Sequence, residues 1–77
     1  MDMTSDDMYE GMGKRIRKLR EEKGYSCRDM AVLMNLDVDM IKTFEKGRKR
    51  VFVDHISHIA TLFDVTADYL IFGKDRI

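Results

Sequence analysis

The stretch SCRDMAVLMNLDVDMIKTFEKG, residues 26–47, decides the fold, because it contains the start and stop signals of two short helices. Ser26 is typical of a helix N-cap, where the hydroxyl accepts a backbone N–H of the first turn. Asn35 stands where the chain must turn sharply, and Asn tolerates the left-handed backbone conformation better than most residues. Asp37 is the candidate N-cap of the second helix, and Gly47 is the expected residue just beyond its end.

Apolar residues recur at helical spacing on both sides of this turn. In the first helix they are Met30, Ala31, Leu33 and Met34, and in the second they are Val38, Ile41 and Phe44. Two short amphipathic helices joined by a tight turn, with a small residue near their crossing, describe a helix-turn-helix. The second helix of such a unit can enter the major groove of DNA.

A longer helix is predicted before this unit. One apolar stripe is formed by Met8, Met12, Ile16 and Leu19. Its spacing predicts a helix over about residues 9–23, with Gly24 as the stop. Gly11 and Gly13 each weaken that helix by about 1 kcal/mol. Residues 1–8 are then a polar N-terminal tail.

Two helices are predicted after the unit. Asp54 is the expected N-cap of the first of them, and its apolar stripe is Ile56, Ile59, Ala60 and Phe63. Thr66 is expected to cap a last short helix that ends at Gly73. The domain therefore covers residues 9–73, and residues 74–77 are a short C-terminal tail.

Length and composition limit the chain to one small all-α domain. It has 77 residues, no proline and 44% hydrophobic residues. Such a chain buries a modest core, so dimerisation would add to its stability. Its apolar runs are too short to cross a membrane, and the acidic residues 1–13 resemble neither a secretory signal nor a transit peptide. The single cysteine, Cys27, cannot form an internal disulfide, which fits a cytoplasmic protein.

The net charge of zero hides an asymmetry along the chain. Residues 1–13 sum to −4, residues 14–50 to +6, and residues 51–77 to −2. A basic middle between acidic ends is the distribution expected of a protein that binds nucleic acid. The alternative is that these charges only solvate the surfaces of helices.

The order and spacing of several short motifs resemble the Xre-type, lambda-repressor-like helix-turn-helix domains. The resemblance covers about residues 12–73, and its positions are Gly13, residues 16–24, Ser26, Met30, Ala31, Ile41, residues 44–47, Ile59, Ala60, Phe63, Val65, Thr66 and residues 68–70. It implies a compact bundle of five short helices that binds operator DNA, often as a two-fold dimer. It also implies a structural ion pair between Arg20 and Glu45.

The helix-turn-helix predicts which side chains would face DNA. The candidate base contacts, all on the second helix of the unit, are Val38, Asp39, Met40, Lys42 and Thr43. The candidate backbone contacts are Lys14, Arg15, Cys27, Arg28, Lys46, Arg48, Lys49 and Arg50. The basic run that ends this list follows the recognition helix directly, which favours contacts with phosphates.

This surface departs from the family pattern at two places. Cys27 stands where the family usually has a glutamine, and a thiol is a weak donor with little reach. Asp37 and Asp39 stand where the family has small polar residues and a glutamine. Asp39 can accept a hydrogen bond from the N4 amino group of cytosine, or it can repel the phosphates. The alternative function is therefore a protein-interaction module that retains the fold without reading DNA.

Other chemistry is weakly indicated. His55 and His58 share a helix face, but a metal ion needs three or four ligands, so no metal site is predicted. A redox-sensing role for Cys27 rests only on its place near a helix N-terminus. We predict no catalytic site and no cofactor. The expected partners are double-stranded DNA and a second copy of the chain, with a protein partner as the alternative and no membrane.

Overall fold

Residues 5–47 and 53–76 are described by a computed structural model, and they form five α-helices without a strand. The helices are α1 (Ser5–Glu22), α2 (Cys27–Met34), α3 (Val38–Lys46), α4 (Val53–Phe63) and α5 (Ala67–Phe72). The predicted all-α, five-helix bundle is confirmed. Among the described helices, none combines the length and the apolar character needed to cross a membrane.

Two expected N-caps are made by side chains. The Ser26 hydroxyl accepts the backbone N–H of Asp29 at 3.0 Å, and the Asp29 carboxylate accepts the N–H of Ser26 at 2.9 Å. This reciprocal pair is a capping box, and it determines where α2 begins. At the start of α5, the Thr66 hydroxyl accepts the N–H of Tyr69 at 2.9 Å.

Two other expected caps differ from the prediction. Asp37 has the extended backbone of an N-cap, with φ −75° and ψ 149°, but its side chain makes no capping hydrogen bond. Its exposed carboxylate can be hydrated instead. Helix α4 begins at Val53, so Asp54 lies within the first turn. An acid is favourable at either position because of the helix dipole, so sequence alone does not distinguish the two.

Helix α1 begins four residues earlier than predicted, so residues 5–8 belong to the folded domain and not to a polar tail. Its early turns pack on the end of α3, where a Cβ built on Gly47 would lie 2.5 Å from the Cα of Glu10. Tyr9 also packs against the core. This tertiary contact stabilises the first turns of α1, which would otherwise be weak because Gly11 and Gly13 have low helix propensity.

The core lies where α1 is surrounded by α3, α4 and α5, with α2 packed on α3. Its fully buried large side chains are Met12, Ile16, Leu19, Met30, Ile41, Phe44, Ile59 and Leu70. Leu33, which shares the helical spacing of the apolar residues of α2, is 46% exposed. The short helix α2 buries the face that carries Met30, Ala31 and Met34, and it leaves Val32 and Leu33 exposed on the other side.

Residues 74–76 are not a trailing end as predicted. The carbonyl of Arg76 accepts the backbone N–H of Thr66 at 3.0 Å, and the carbonyl of Asp75 accepts the Thr66 hydroxyl. The Arg76 guanidinium pairs with Glu22 at the end of α1 and lies over the ring of Tyr69, 5.6 Å from its centre. The end of the described chain therefore joins α1 to α5.

Candidate nucleic-acid interface

Helices α2 and α3 form a helix-turn-helix through a three-residue turn, residues 35–37. Asn35 has the left-handed conformation predicted for it, with φ 55° and ψ 46°. The N–H of Leu36 donates to the carbonyl of Ala31 at 2.9 Å, which satisfies a free carbonyl at the end of α2. Leu36 then packs against the core, which determines the direction in which α3 leaves the turn.

Helix α3 buries one face and exposes the other. Ile41 and Phe44 are buried in the core, and Gly47 ends the helix with φ 68°. The carboxylate of Asp39 and the ammonium groups of Lys42 and Lys46 are exposed. These three side chains share one face because they are three, four and seven residues apart. We call this the outward face of α3.

The other candidate base contacts are more restricted. Val38 is half-buried against the core, whereas Met40 is exposed, at 38%, at the edge of the outward face. The hydroxyl of Thr43 lies on the outward face but donates to the backbone carbonyl of Asp39 at 2.7 Å. Thr43 can therefore accept a hydrogen bond, or offer its methyl group, but its one donor is already engaged.

The start of α2 offers one exposed cation. Arg28 is exposed in the first turn, whereas Cys27 is half-buried and packs against the core. The free backbone N–H groups of this turn are partly used by the Ser26 cap. Arg28 is thus the α2 side chain that is available to a phosphate.

The guanidinium of Arg15 is half-buried and is engaged by the end of α5, so it is not free to act on the predicted DNA surface. Its Nε donates to the carbonyl of Leu70 at 2.8 Å and its Nη2 to the carbonyl of Ile71 at 2.7 Å. Burial lowers the pKa of the Arg15 guanidinium. We therefore remove Arg15 from the candidate phosphate contacts. Lys14 beside it is exposed and lies 3.5 Å from the Glu10 carboxylate.

The signal for Arg15 was present in the sequence. It lies three residues after Met12 and four before Leu19, which places it on the buried stripe of α1. A cation at such a position satisfies the free carbonyls at the end of a neighbouring helix. The remaining candidate contacts, Arg48, Lys49 and Arg50, lie outside the described residues.

Arg20 and Glu45 join α1 to the end of α3. Arg20 Nε lies 2.6 Å from Glu45 Oε2, and Arg20 Nη2 lies 3.0 Å from Oε1, so the pair is bidentate. Arg20 Nη1 donates to the carbonyl of Tyr25 at 2.8 Å. The two side chains are 12% and 9% exposed. The hydrogen bonds that Arg20 donates to the Glu45 carboxylate raise the pKa of Arg20.

The close approach of α1 and α3 depends on Gly13. A Cβ at this position would lie 2.6 Å from the carbonyl oxygens of Phe44 and Glu45. Helix propensity alone makes Gly13 a weak point of α1, since one sequence does not reveal which backbone will lie against it. Gly13 and Arg20 together hold the end of α3 against the bundle.

An apolar surface on α2 was also missed. Val32 and Leu33 are exposed beside Tyr25 and line a shallow open groove of about 370 Å³.

Near the core, the ring of His55 lies 5.2 Å from that of Phe44. Within residues 5–47 and 53–76, no three His, Cys, Asp or Glu side chains lie together as metal ligands would.

Comparison with known proteins agrees with this geometry. A family profile described as a helix-turn-helix domain matches residues 12–70. The chain is 27% identical, over 66 residues, to the HTH-type transcriptional regulator ImmR of Bacillus subtilis (strain 168). That match covers 86% of this chain and 51% of the relative, so the chain spans about half the length of that protein.

Two solved structures are similar to this one. The restriction-modification controller protein C.AhdI from Aeromonas hydrophila has a TM-score of 0.73 and 32% identity, with 80% of this chain and 94% of that chain covered. The hypothetical transcription factor NHTF from Neisseria has a TM-score of 0.79 and 23% identity, with 91% and 80% covered, which supports the fold. The chain therefore belongs to the helix-turn-helix domain family, of the Xre-type, lambda-repressor-like kind that its sequence resembles.

Proposed function

We propose that this chain is a sequence-specific DNA-binding transcription regulator that places α3 in the major groove of operator DNA. The observation that carries the proposal is the outward face of α3, which presents Asp39, Lys42 and Lys46 from a helix-turn-helix. The names of two relatives, a transcriptional regulator and a controller protein, support a regulatory role. The proposal needs no cofactor and no catalytic step, and it assigns the protein to the cytoplasm.

The proposed base contacts divide by what each side chain can offer. Asp39 accepts hydrogen bonds and Lys42 donates them. Val38, Met40 and the methyl group of Thr43 can offer apolar contact to a thymine methyl group. The proposed backbone contacts are Lys14, Cys27, Arg28, Lys46, Arg48, Lys49 and Arg50.

We further propose that the protein acts as a homodimer that reads two half-sites. A domain of this size gains affinity when two copies bind one operator. Phe72 at the end of α5 is 53% exposed, and Ile71 beside it is half-buried. An exposed aromatic side chain of this kind supports an apolar interface on α5.

The test is selection from a random duplex library with the full chain at about 150 mM salt, where non-specific electrostatic binding is weakened. Enrichment of an inverted repeat with half-sites about one helical turn, roughly 10 base pairs, apart is the expected result. Little bound DNA and no enriched motif would contradict the proposal. Strong binding without a motif would indicate a protein that coats DNA non-specifically.

A protein-interaction module is the second candidate, and the exposed Val32 and Leu33 beside Tyr25 favour it. The two functions respond differently to charge. Arg48→Glu with Arg50→Glu should abolish DNA binding and leave a protein partner bound. Leu33→Asp should release a partner seated on α2, and a gel-shift assay run beside a pull-down separates the two results.

A further inference from the structure

The order of the charged residues along the outward face of α3 indicates which base pair this face would read. Asp39 lies in the first turn, Lys42 follows three residues later, and Lys46 lies at the last turn. When a recognition helix enters the major groove, its N-terminal residues contact the base edges. In the proposed docking, Asp39 and Lys42 therefore face bases, while Lys46 lies toward the backbone.

The carboxylate of Asp39 is available to a ligand. It is exposed, and no cation of the described ranges, residues 5–47 and 53–76, forms an ion pair with it. The hydrogen bond from Thr43 goes to the backbone carbonyl of Asp39 and leaves the carboxylate unengaged. An ionised carboxylate only accepts hydrogen bonds, so it needs a donor on a base edge. The major groove offers two such donors, cytosine N4 and adenine N6.

The chemistry of the two bases separates these donors. In adenine the N6 amino group lies beside N7, whose lone pair repels a carboxylate. In cytosine the neighbour of the N4 amino group is a C–H, which has no lone pair. Thymine O4 and guanine O6 are acceptors and also repel Asp39. A carboxylate at this position thus favours cytosine both by attraction and by rejection of the other bases.

Lys42 provides the complementary group. Residues three apart on a helix lie roughly 5–6 Å from each other at Cβ, which is within the reach of a single base pair or of adjacent pairs. The guanine that pairs with cytosine presents two acceptors, N7 and O6, and lysine is a common donor to them. An acid followed by a lysine at this spacing therefore matches a C·G pair.

We propose that Asp39 is a specificity-determining residue that reads a cytosine N4 amino group in each half-site, with Lys42 donating to the paired guanine. This inference rests on the proposed docking of α3 in the major groove. It predicts a C·G pair under the start of α3, where replacement by any other pair lowers affinity by about fivefold or more.

The decisive variant is Asp39→Asn, which retains the shape of the side chain and adds a donor. An amide can bind adenine N6 and N7 together. The preferred base at that position should change from cytosine to adenine, with the ratio of affinities moving by about five- to 150-fold. The matched control is Asp37→Asn, which removes the same charge at the start of α3 but from a residue outside the outward face. Thermal unfolding of both variants checks that they remain folded.

The readout is the base preference in selections run with the wild type and both variants. Both variants gain affinity for any duplex by losing a negative charge, so the ratio of cytosine to adenine is compared and not affinity alone. The inference is supported if the base preference changes with Asp39→Asn and does not change with Asp37→Asn. A wild-type motif that survives Asp39→Asn overturns it and leaves the proposed function standing. A wild type that selects no motif overturns both.

Discussion

At the scale of single residues, the pair of Arg20 and Glu45 shows how a charged contact can hold the end of α3 in place. The guanidinium makes two hydrogen bonds to the carboxylate and a third to the carbonyl of Tyr25. The bidentate geometry fixes the angle as well as the distance between α1 and α3. Removal of either partner leaves a nearly buried charge without its counter-ion.

Glu45→Ala should lower the free energy of unfolding by about 3 kcal/mol, because Arg20 would remain enclosed without a carboxylate. Urea denaturation at neutral pH measures this. The control is Glu21→Ala, which removes the exposed pair with Arg17 and should cost about 0.5 kcal/mol or less. Equal losses in the two variants would refute a structural role for the buried pair.

Asp29 gives the capping box a dependence on pH. Hydrogen bonds from the backbone and side chain of Ser26 lower the pKa of its carboxyl in the folded state. A lowered folded pKa stabilises the fold above the unfolded value of about 3.9, and this stability is lost as pH falls through the folded pKa. Asp29→Asn should therefore be less stable than wild type at pH 6, and the difference should shrink below about pH 4. Thermal unfolding over that range measures it, and a difference independent of pH would contradict the assignment.

At the scale of helices, α1 packs against α3, α4 and α5, and it carries two contacts of different kinds. A glycine lets α3 approach it, and an arginine binds the end of α5. Gly13 and Arg15 would be given different roles if α1 were considered alone. Helix propensity makes Gly13 a weakness, and charge makes Arg15 a candidate for solvent or phosphate.

Gly13→Ala should destabilise the protein by about 1–3 kcal/mol, although alanine is the better helix former. The added Cβ meets backbone oxygens of Phe44 and Glu45, which move only if α3 moves. Gly11→Ala is the control, since the atoms nearest its Cβ are those of the Arg15 guanidinium at 3.2 Å, which need to move by a few tenths of an ångström and do not displace a helix. Chemical denaturation of both variants tests the contact. A gain in stability for Gly13→Ala would contradict it.

Arg15→Gln and Lys14→Gln separate a structural cation from a phosphate contact. Arg15→Gln should lower stability by about 1.5–3 kcal/mol, because two carbonyls of α5 lose a charged donor. It should leave the salt dependence of DNA binding unchanged. Lys14→Gln should leave stability unchanged and reduce the slope of log affinity against log salt by about 1. DNA titrations at several salt concentrations measure the slope. A reduced slope for Arg15→Gln, with unchanged stability, would indicate that Arg15 contacts a phosphate.

At the scale of the whole molecule, the fold separates three surfaces. The outward face of α3 is charged, the free side of α2 is apolar, and the end of α5 exposes Phe72. The Arg76–Glu22 pair and the Thr66 contacts close the bundle on the side of α5. A small domain can therefore offer DNA and a second copy of itself different faces.

Phe72→Glu should convert the proposed dimer into a monomer, because a charge would be placed in an apolar interface. Sedimentation at high micromolar concentration measures the change in mass, and the affinity for an inverted repeat should fall toward that for one half-site. Val32→Glu is the control, because it places the same charge on the exposed apolar side of α2, and it should leave the mass unchanged. A wild type that sediments as a monomer would contradict the proposed interface.

The sequence by itself determined the number and order of the helices and the turn between α2 and α3, but not where α1 begins. Ser26, Asn35, Thr66 and Gly47 act through bonds and backbone angles within a few residues, so their effects can be read locally. The buried faces of α3 and α4 were likewise predicted, because helical spacing places apolar residues on one side.

Only the tertiary structure decided the roles of Gly13, Arg15, Leu33 and Arg76. Each depends on what lies opposite it in the folded chain: the carbonyls of α3 for Gly13, the end of α5 for Arg15, solvent over much of Leu33, and Glu22 for Arg76. Local propensity depends only on residues close in sequence, so it does not include such neighbours. Among the residues predicted to contact DNA, the same kind of neighbour engages the guanidinium of Arg15 and half-buries Cys27, and neither effect can be read from local spacing.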